Sequence, residues 1–246
     1  MNFWMRKISQ KSKLRELRNR ESGKDCFIIG NAPSVRQHDL SALRGKLSIG
    51  VNASTALEEE FGFHSRYYVV SDARFLKNPE KRAFACEKVK PGTIRILREE
   101  LSAVDDPAWI DNTWYVHALG KNGFSFDLAS GYYFGCTTVM LALQLAAYLD
   151  CSRIFLLGTD LNYAPAQPRF YQEQQVEPPD PFVSVQLWNI YNASLELQKR
   201  QKQLFICSRS SWLLPYLEYC DFDAAVAGTG QQPAATHVLG HSAELT

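Results

Sequence analysis

Cys26-Phe27-Ile28-Ile29 is an unbroken apolar run that stops at Gly30, and it narrows what the chain can fold into. A short strand with no polar alternation fits a parallel sheet covered on both faces. Gly30 allows a sharp turn and close approach of a ligand, Asn31 tolerates unusual dihedrals, and Pro33 suits the first position of a helix. The stretch from Asp25 to Ser34 thus predicts a strand, a turn and a helix start whose amides suit an anion such as phosphate. It matches neither the dinucleotide G-x-G-x-x-G nor the phosphate-loop pattern, so an ordinary strand-to-helix turn and a ligand-binding turn both stay open.

The same alternation continues to about residue 222. Strands are predicted at Leu47–Asn52, Tyr67–Asp72, Thr93–Leu97, Thr113–His117, Arg153–Gly158 and Leu204–Cys207. Helices are predicted near Ala53–Glu60, Thr137–Leu149, Val185–Lys199 and Ser211–Tyr219. Such alternation predicts an α/β, Rossmann-like, mostly parallel sheet with helices on both faces. Between Tyr163 and Pro181 five prolines interrupt the pattern, which predicts a proline-rich lid at about 163–184, after the Gly158-Thr159-Asp160 strand end. The domain so defined covers residues 25–223, and residues 224–246 read as a flexible tail with little to bury.

Composition excludes several classes. A formal net charge of +1 over 246 residues argues against a nucleic-acid binder. The six cysteines are scattered singly without C-x-x-C pairing, which points to reduced core thiols in a cytoplasmic protein. No apolar run reaches membrane-spanning length, and no export signal is visible. Residues 1–24 are a separate segment in which Arg6, Lys7, Lys11, Lys13, Arg15, Arg18, Arg20 and Lys24 alternate with Phe3, Trp4, Met5, Ile8, Leu14 and Leu17. This basic amphipathic pattern fits peripheral contact with an anionic membrane surface through residues 3–20, or a helix that is frayed or docked on a partner.

Ligands of parallel α/β sheets sit at the carboxyl ends of the strands, near the point where strand order reverses. Asn31, Asn52, Asp72, His117 and Asp160 all fall just past an apolar run, on that rim. Thr137 and Thr138 open the long apolar helix, where one hydroxyl caps it and the other faces the cleft. Tyr163, Arg169 and Tyr171 lie in or beside the lid and are suited to neutralising a leaving phosphate. No histidine, cysteine or carboxylate spacing predicts a metal site or a cofactor.

Ile28-Ile29-Gly30-Asn31-Ala32-Pro33-Ser34, Val51-Asn52-Ala53, Cys136-Thr137-Thr138-Val139 and the run from Arg153 to Tyr163 resemble the bacterial sialyltransferase-like superfamily. That group includes the sialyltransferases, Kdo transferases and the proteins related to hydroxymethylpterin diphosphokinase. The resemblance covers roughly residues 25–221. It implies that Asn31, Ala32, Ser34 and Asn52 bind the nucleotide of a CMP-sugar donor, that Thr137 and Thr138 hold the donor sugar, and that a lid with Tyr163, Arg169 and Tyr171 closes on the departing phosphate. It also implies metal-independent transfer of sialic acid or Kdo to a glycan or lipid-linked acceptor, at the inner face of the cytoplasmic membrane. Two departures stand out. The second glycine of the family's turn is Ala32, and the family's histidine base before the helix after the lid is missing, since no histidine lies between His117 and His237. The base candidates left are His117, Asp72 and Asp160, with His64 if its loop folds inward. An ATP-dependent diphosphokinase and a non-catalytic nucleotide-sugar binding module are the alternative readings.

Overall fold

The computed structural model describes residues 11–163, 168–172 and 180–229. An eight-stranded sheet is its frame, built from β1 (Asp25–Ile29), β2 (Ser48–Val51), β3 (Tyr67–Val70), β4 (Ile94–Arg98) and β5 (Thr113–Val116), with β8 (Arg153–Leu157), β9 (Gln203–Ile206) and β10 (Glu218–Tyr219). The spatial order is β10-β9-β8-β1-β2-β3-β4-β5, and every pairing is parallel. A small separate sheet pairs β6 (Ala118–Gly120) with β7 (Tyr132–Tyr133). The expected α/β Rossmann-like architecture is therefore the observed one.

The apolar strand runs serve two cores at once. Cys26 and Ile28 of β1 face one layer, and Phe27 and Ile29 face the other; β8 divides likewise, with Ile154 and Leu156 against Phe155 and Leu157. The first layer holds α2 (Thr138–Tyr148) and α3 (Val183–Gln198), while the second includes Leu57 of α1 (Thr55–Phe61) and Phe222 of α4 (Phe222–Ala227). Every residue of α2 is buried, as a helix apolar all round must be. Toward the far edge of the sheet Arg95 and Asp105, 0 % and 1 % exposed as side chains, form an ion pair at 2.8 Å; Arg95 also donates to Thr113 Oγ1, and Tyr115 Oη donates to Asp105.

Three expectations change. Residues 11–24 are part of the domain, because Leu14 and Leu17 are buried in the core of the α2 face and Glu21 is buried against Tyr67 Oη at 2.9 Å. The amides of Asn19, Glu21 and Gly23 donate at 3.0 Å to the carbonyls of Tyr148, Leu149 and Asp150. Those carbonyls end α2 and have no partner within it, so the apolar side of this stretch is spent on the protein rather than on lipid. Phe3, Trp4, Met5, Arg6, Lys7 and Ile8 lie outside the described residues, as do 164–167, 173–179 and 230–246 of the expected lid and tail. The tail boundary also moves, since α4 runs from Phe222 to Ala227, capped by Asp221 at its start and by left-handed Gly228 at its end, with Phe222 and Ala225 buried. Finally, residues 211–217 form turns leading into β10 instead of a helix; Pro215 in the middle of that stretch removes an amide that a helix would need.

Candidate functional site

Chain order along the sheet reverses between β1 and β8. From β1 the chain runs outward through β2 to β5, then crosses back through α2 to β8 on β1's other side. The two turns at this switch point touch backbone to backbone. Gly30 N donates to Leu157 O at 2.8 Å and Ala32 N to Gly158 O at 2.9 Å. A Cβ on Gly30 would lie 2.3 Å from Gly158 O, and Gly158 itself has φ +58°. The close approach that Gly30 permits is thus to a second turn of the same chain, and Ala32 fits the family's glycine position because its backbone is extended, at φ −74° and ψ 154°.

Beside this contact opens a cavity of about 580 Å³, in the range of small-ligand sites. Asn31, Ala32, Asn52, Asp72, Thr137, Thr138, Asp160, Tyr163, Arg169 and Tyr171 all line it, so most of the rim residues expected from sequence are brought together. Arg74, Lys81, Arg98, Lys121 and Arg169 line it against Asp72, Asp160 and Asp180, and this excess of basic side chains suits an anionic ligand. The N-terminus of α2 opens onto the same space. Thr137 Oγ1 caps it by accepting from Val139 N at 3.3 Å, and Thr138 Oγ1 lies 2.8 Å from Ser71 Oγ. Cys136, just before this helix, has φ +58°, and its carbonyl accepts from Gln186 Nε2 at 2.9 Å.

Several residues hold the site's shape rather than face a ligand. Asn31 spends its side chain on β2, with Nδ2 donating to Val51 O at 3.0 Å and Oδ1 accepting from Ala53 N at 2.9 Å. Ser34 does not line the cavity; its Oγ donates to Asp160 Oδ1 at 2.5 Å and its N to Asp160 Oδ2 at 3.3 Å, with both side chains buried. The anion at the start of the short 3₁₀ helix Pro33–Gln37 is therefore the protein's own carboxylate. Asp160 is for the same reason a clamp between the two turns, not an unengaged base. Asp72 is wrapped by Arg74, whose Nε lies 2.9 Å and a terminal nitrogen 2.7 Å from Asp72 Oδ2. His117 points away from the cavity: its side chain is 59 % exposed, with Nδ1 3.0 Å from Glu99 Oε2, because β5 ends one residue earlier and the chain there turns into β6. His64 pairs with Thr93 Oγ1 at 2.7 Å, also outside the cavity lining.

Asn52 is different. It closes β2 at φ +54°, a left-handed conformation that Asn bears better than most residues. Its Oδ1 is buried and finds no hydrogen-bond partner among the described residues. An orphaned acceptor of this kind costs roughly 1–3 kcal/mol unless a ligand or water donates to it.

The cavity is closed on one side by residues 168–172, whose Phe170 N donates to Asn31 O at 2.9 Å while Arg36 Nε donates to Phe170 O at 3.3 Å. Arg169 stacks over the Tyr163 ring at 4.9 Å and Tyr171 packs on Phe84, so the expected lid residues do border the space. Sequence reasoning missed Ser71, Lys81, Arg98, Lys121, Asp180 and Gln186. Of these Gln186 carried a signal, as a polar residue on the buried stripe of α3; it is 1 % exposed. Among the described residues no group of three or more His, Cys, Asp or Glu side chains is placed to hold a metal ion, and no helix is long and apolar enough to cross a membrane.

No protein-family model matches the chain. It is 27 % identical over 190 residues to the probable 3-deoxy-manno-octulosonic acid transferase of Salmonella typhimurium, a match covering 63 % of this chain and 70 % of that protein. Its fold is similar to that of the sialyltransferase CstII from Campylobacter jejuni, solved with cytidine-5'-monophosphate, at TM-score 0.52 and 13 % identity over 80 % of this chain and 85 % of that one. It is also similar to the MAf glycosyltransferase of Magnetospirillum magneticum AMB-1, at TM-score 0.51 and 14 % identity, over 92 % of this chain but 42 % of that longer one. In sequence, then, the chain is similar to a probable Kdo transferase, and in fold to a sialyltransferase and a second glycosyltransferase.

Proposed function

We propose that the protein transfers an acidic sugar, sialic acid or Kdo, from a CMP-sugar to a glycan or lipid-linked acceptor. The observation that carries this reading is the basic cavity at the β1/β8 switch point, onto which the capped N-terminus of α2 opens and which Asn52 lines. A pyrimidine nucleotide offers amine and hydroxyl donors for Asn52, and its phosphate is an anion for Arg169, Tyr171 and the α2 amides. Thr137 and Thr138 stand at the same helix start, where a donor sugar joined to that phosphate would lie.

In the reaction an acceptor hydroxyl attacks the anomeric carbon and the bond from that carbon to the phosphate oxygen breaks. CMP leaves with the electron pair, so negative charge grows on the phosphate, where preformed positive groups count most. The reading uses no metal: side chains and helix amides do the neutralising. It places the protein in the cytoplasm, against the membrane, with exposed Lys11, Arg15, Arg18 and Arg20 toward anionic headgroups. Sedimentation with anionic vesicles that survives changing all four to Glu removes that part of the reading.

The test of the whole is thermal stabilisation by CMP, CDP, UDP, GDP and ATP, each with and without magnesium. A ligand at about 100 times its Kd stabilises by roughly 2.7 kcal/mol, a shift of several degrees for a domain of this size. A metal-independent shift with CMP, reduced in Asn52→Ala, is the expected result. A magnesium-dependent shift confined to ATP replaces the reading with a diphosphokinase.

A further inference from the structure

Transfer releases the acceptor hydroxyl's proton, and the base that takes it was not found among the residues expected from sequence. His117 lies outside the cavity, Asp160 is buried in its clamp with Ser34, and Asp72 is wrapped by Arg74. Among the described residues the remaining carboxylate that lines the cavity is Asp180, at the entry to α3. Its Oδ1 accepts from Phe182 N at 2.9 Å and its Oδ2 from Gln186 Nε2 at 2.8 Å. These bonds leave part of each oxygen's acceptor capacity open. No ion pair engages the carboxylate among the described residues, and it is half-buried rather than sealed.

The setting of Asp180 is fixed from behind. Gln186 is buried, and its second amide hydrogen donates to Cys136 O at 2.9 Å while its Oε1 accepts from Tyr163 Oη at 2.8 Å. One side chain thus ties Asp180 to the turn that opens α2 and to the chain entering the lid. A group so held keeps its oxygens aimed at one place, as proton transfer requires.

We infer that Asp180 is the catalytic base, oriented by Gln186. As the acceptor oxygen bonds to the anomeric carbon, its proton passes to a carboxylate oxygen of Asp180 and then to solvent. The anomeric carbon–oxygen bond to phosphate breaks in the same step, and CMP carries away the electron pair.

The inference rests on the proposed CMP-sugar reaction, and its test separates the two. CMP release from CMP-sialic acid and from CMP-Kdo is measured above uncatalysed background, with water as acceptor, for the wild type, Asp180→Asn and Asp180→Glu. CMP affinity is measured in parallel by thermal shift. An Asn side-chain oxygen can accept from the amide two residues on as an Asp does, so Asp180→Asn keeps the bond from Phe182 N while removing the base. The expected result is a kcat lowered by about 10²–10⁴-fold in Asp180→Asn, CMP affinity within about threefold of wild type, partial recovery in Asp180→Glu, and loss of the acidic limb of the pH–rate profile. An Asp180→Asn kcat within threefold of wild type overturns the base and leaves the transferase reading standing. Loss of CMP affinity along with kcat also overturns it, by making Asp180 a binding residue. A wild type that neither binds CMP nor releases it from either donor overturns the transferase reading, and the base with it.

Discussion

Removing the clamp between Ser34 and Asp160 tests whether that carboxylate shapes the site or reacts in it. Ser34→Ala takes away the 2.5 Å hydroxyl bond to Oδ1 and leaves the weaker 3.3 Å amide bond to Oδ2. Asp160 is 2 % exposed, so water cannot replace what is lost. A bond to a charged group is worth roughly 1.5–3 kcal/mol. For a domain of this length each kcal/mol lowers Tm by about 2–4 °C, so Ser34→Ala melts roughly 3–12 °C below the wild type. Asp160→Asn keeps one acceptor for Ser34 but puts an amide against its neighbours, and it loses stability of similar size. The assay is urea and thermal unfolding of both variants beside their CMP affinity. Both variants are expected to lose stability and CMP affinity together, because the turn that carries Ala32 and Asn31 is then held to the turn that carries Gly158 mainly by backbone bonds. A stable Asp160→Asn that binds CMP normally yet has lost turnover refutes this reasoning and restores Asp160 as a reacting group.

Two further outcomes follow from buried charge. Burial raises the Glu58 carboxyl from 4.5 to about 7, against the opposing bonds from Ser65. The folded state therefore holds a proton that the unfolded chain releases near 4.5, so this group's contribution to stability is full below that pH and is lost as pH rises to about 7. At about 1.4 kcal/mol per pH unit the loss is roughly 3 kcal/mol. His38 and His64 are lowered by burial and act in the opposite sense, so the comparison is made with Glu58→Gln. The stability difference between the two proteins should change by that amount from pH 4.5 to 8 in urea unfolding, and a constant difference rejects the shift. Asp105→Ala leaves Arg95 charged and fully buried, which costs about 3–5 kcal/mol in chemical denaturation; a loss under 1 kcal/mol would show that Thr113 alone satisfies the guanidinium.

The frame was legible because it depends on short-range pattern. Runs such as Cys26–Ile29 and Ile154–Leu157, short, apolar and bounded by turn residues, fit strands covered on both sides. Four of the polar residues at the strand ends, Asn31, Asn52, Asp72 and Asp160, fall on one rim for the same reason. Their roles were not legible, since a role depends on a partner far along the chain: Asp160 on Ser34, Asn31 on Val51 and Ala53, Asp72 on the rotamer of Arg74. His117 was misread by a single residue, because β5 stops at Val116 and the next side chain turns outward. Leu14 and Leu17 gave the same helical stripe whether lipid or protein was to cover them, and only the fold decides that. Asp180 sat among prolines, where no periodicity marks which side chain turns inward.

The placement of β1 between β2 and β8 has a consequence for how the molecule is made. β1 pairs on one side with a strand some 20 residues on, and on the other with one about 128 residues on. During synthesis, at about 5–20 residues per second, the first pairing is available within seconds while the second waits for most of the chain. Until Arg153–Leu157 emerges, the central strand of the finished sheet is an open apolar edge, the kind that recruits other chains. The cavity is then also absent, for half of its floor has not been translated. A chain cut short before β8 is thus at once without a site and prone to aggregate, so a binding-competent fragment of this protein has to extend past residue 160.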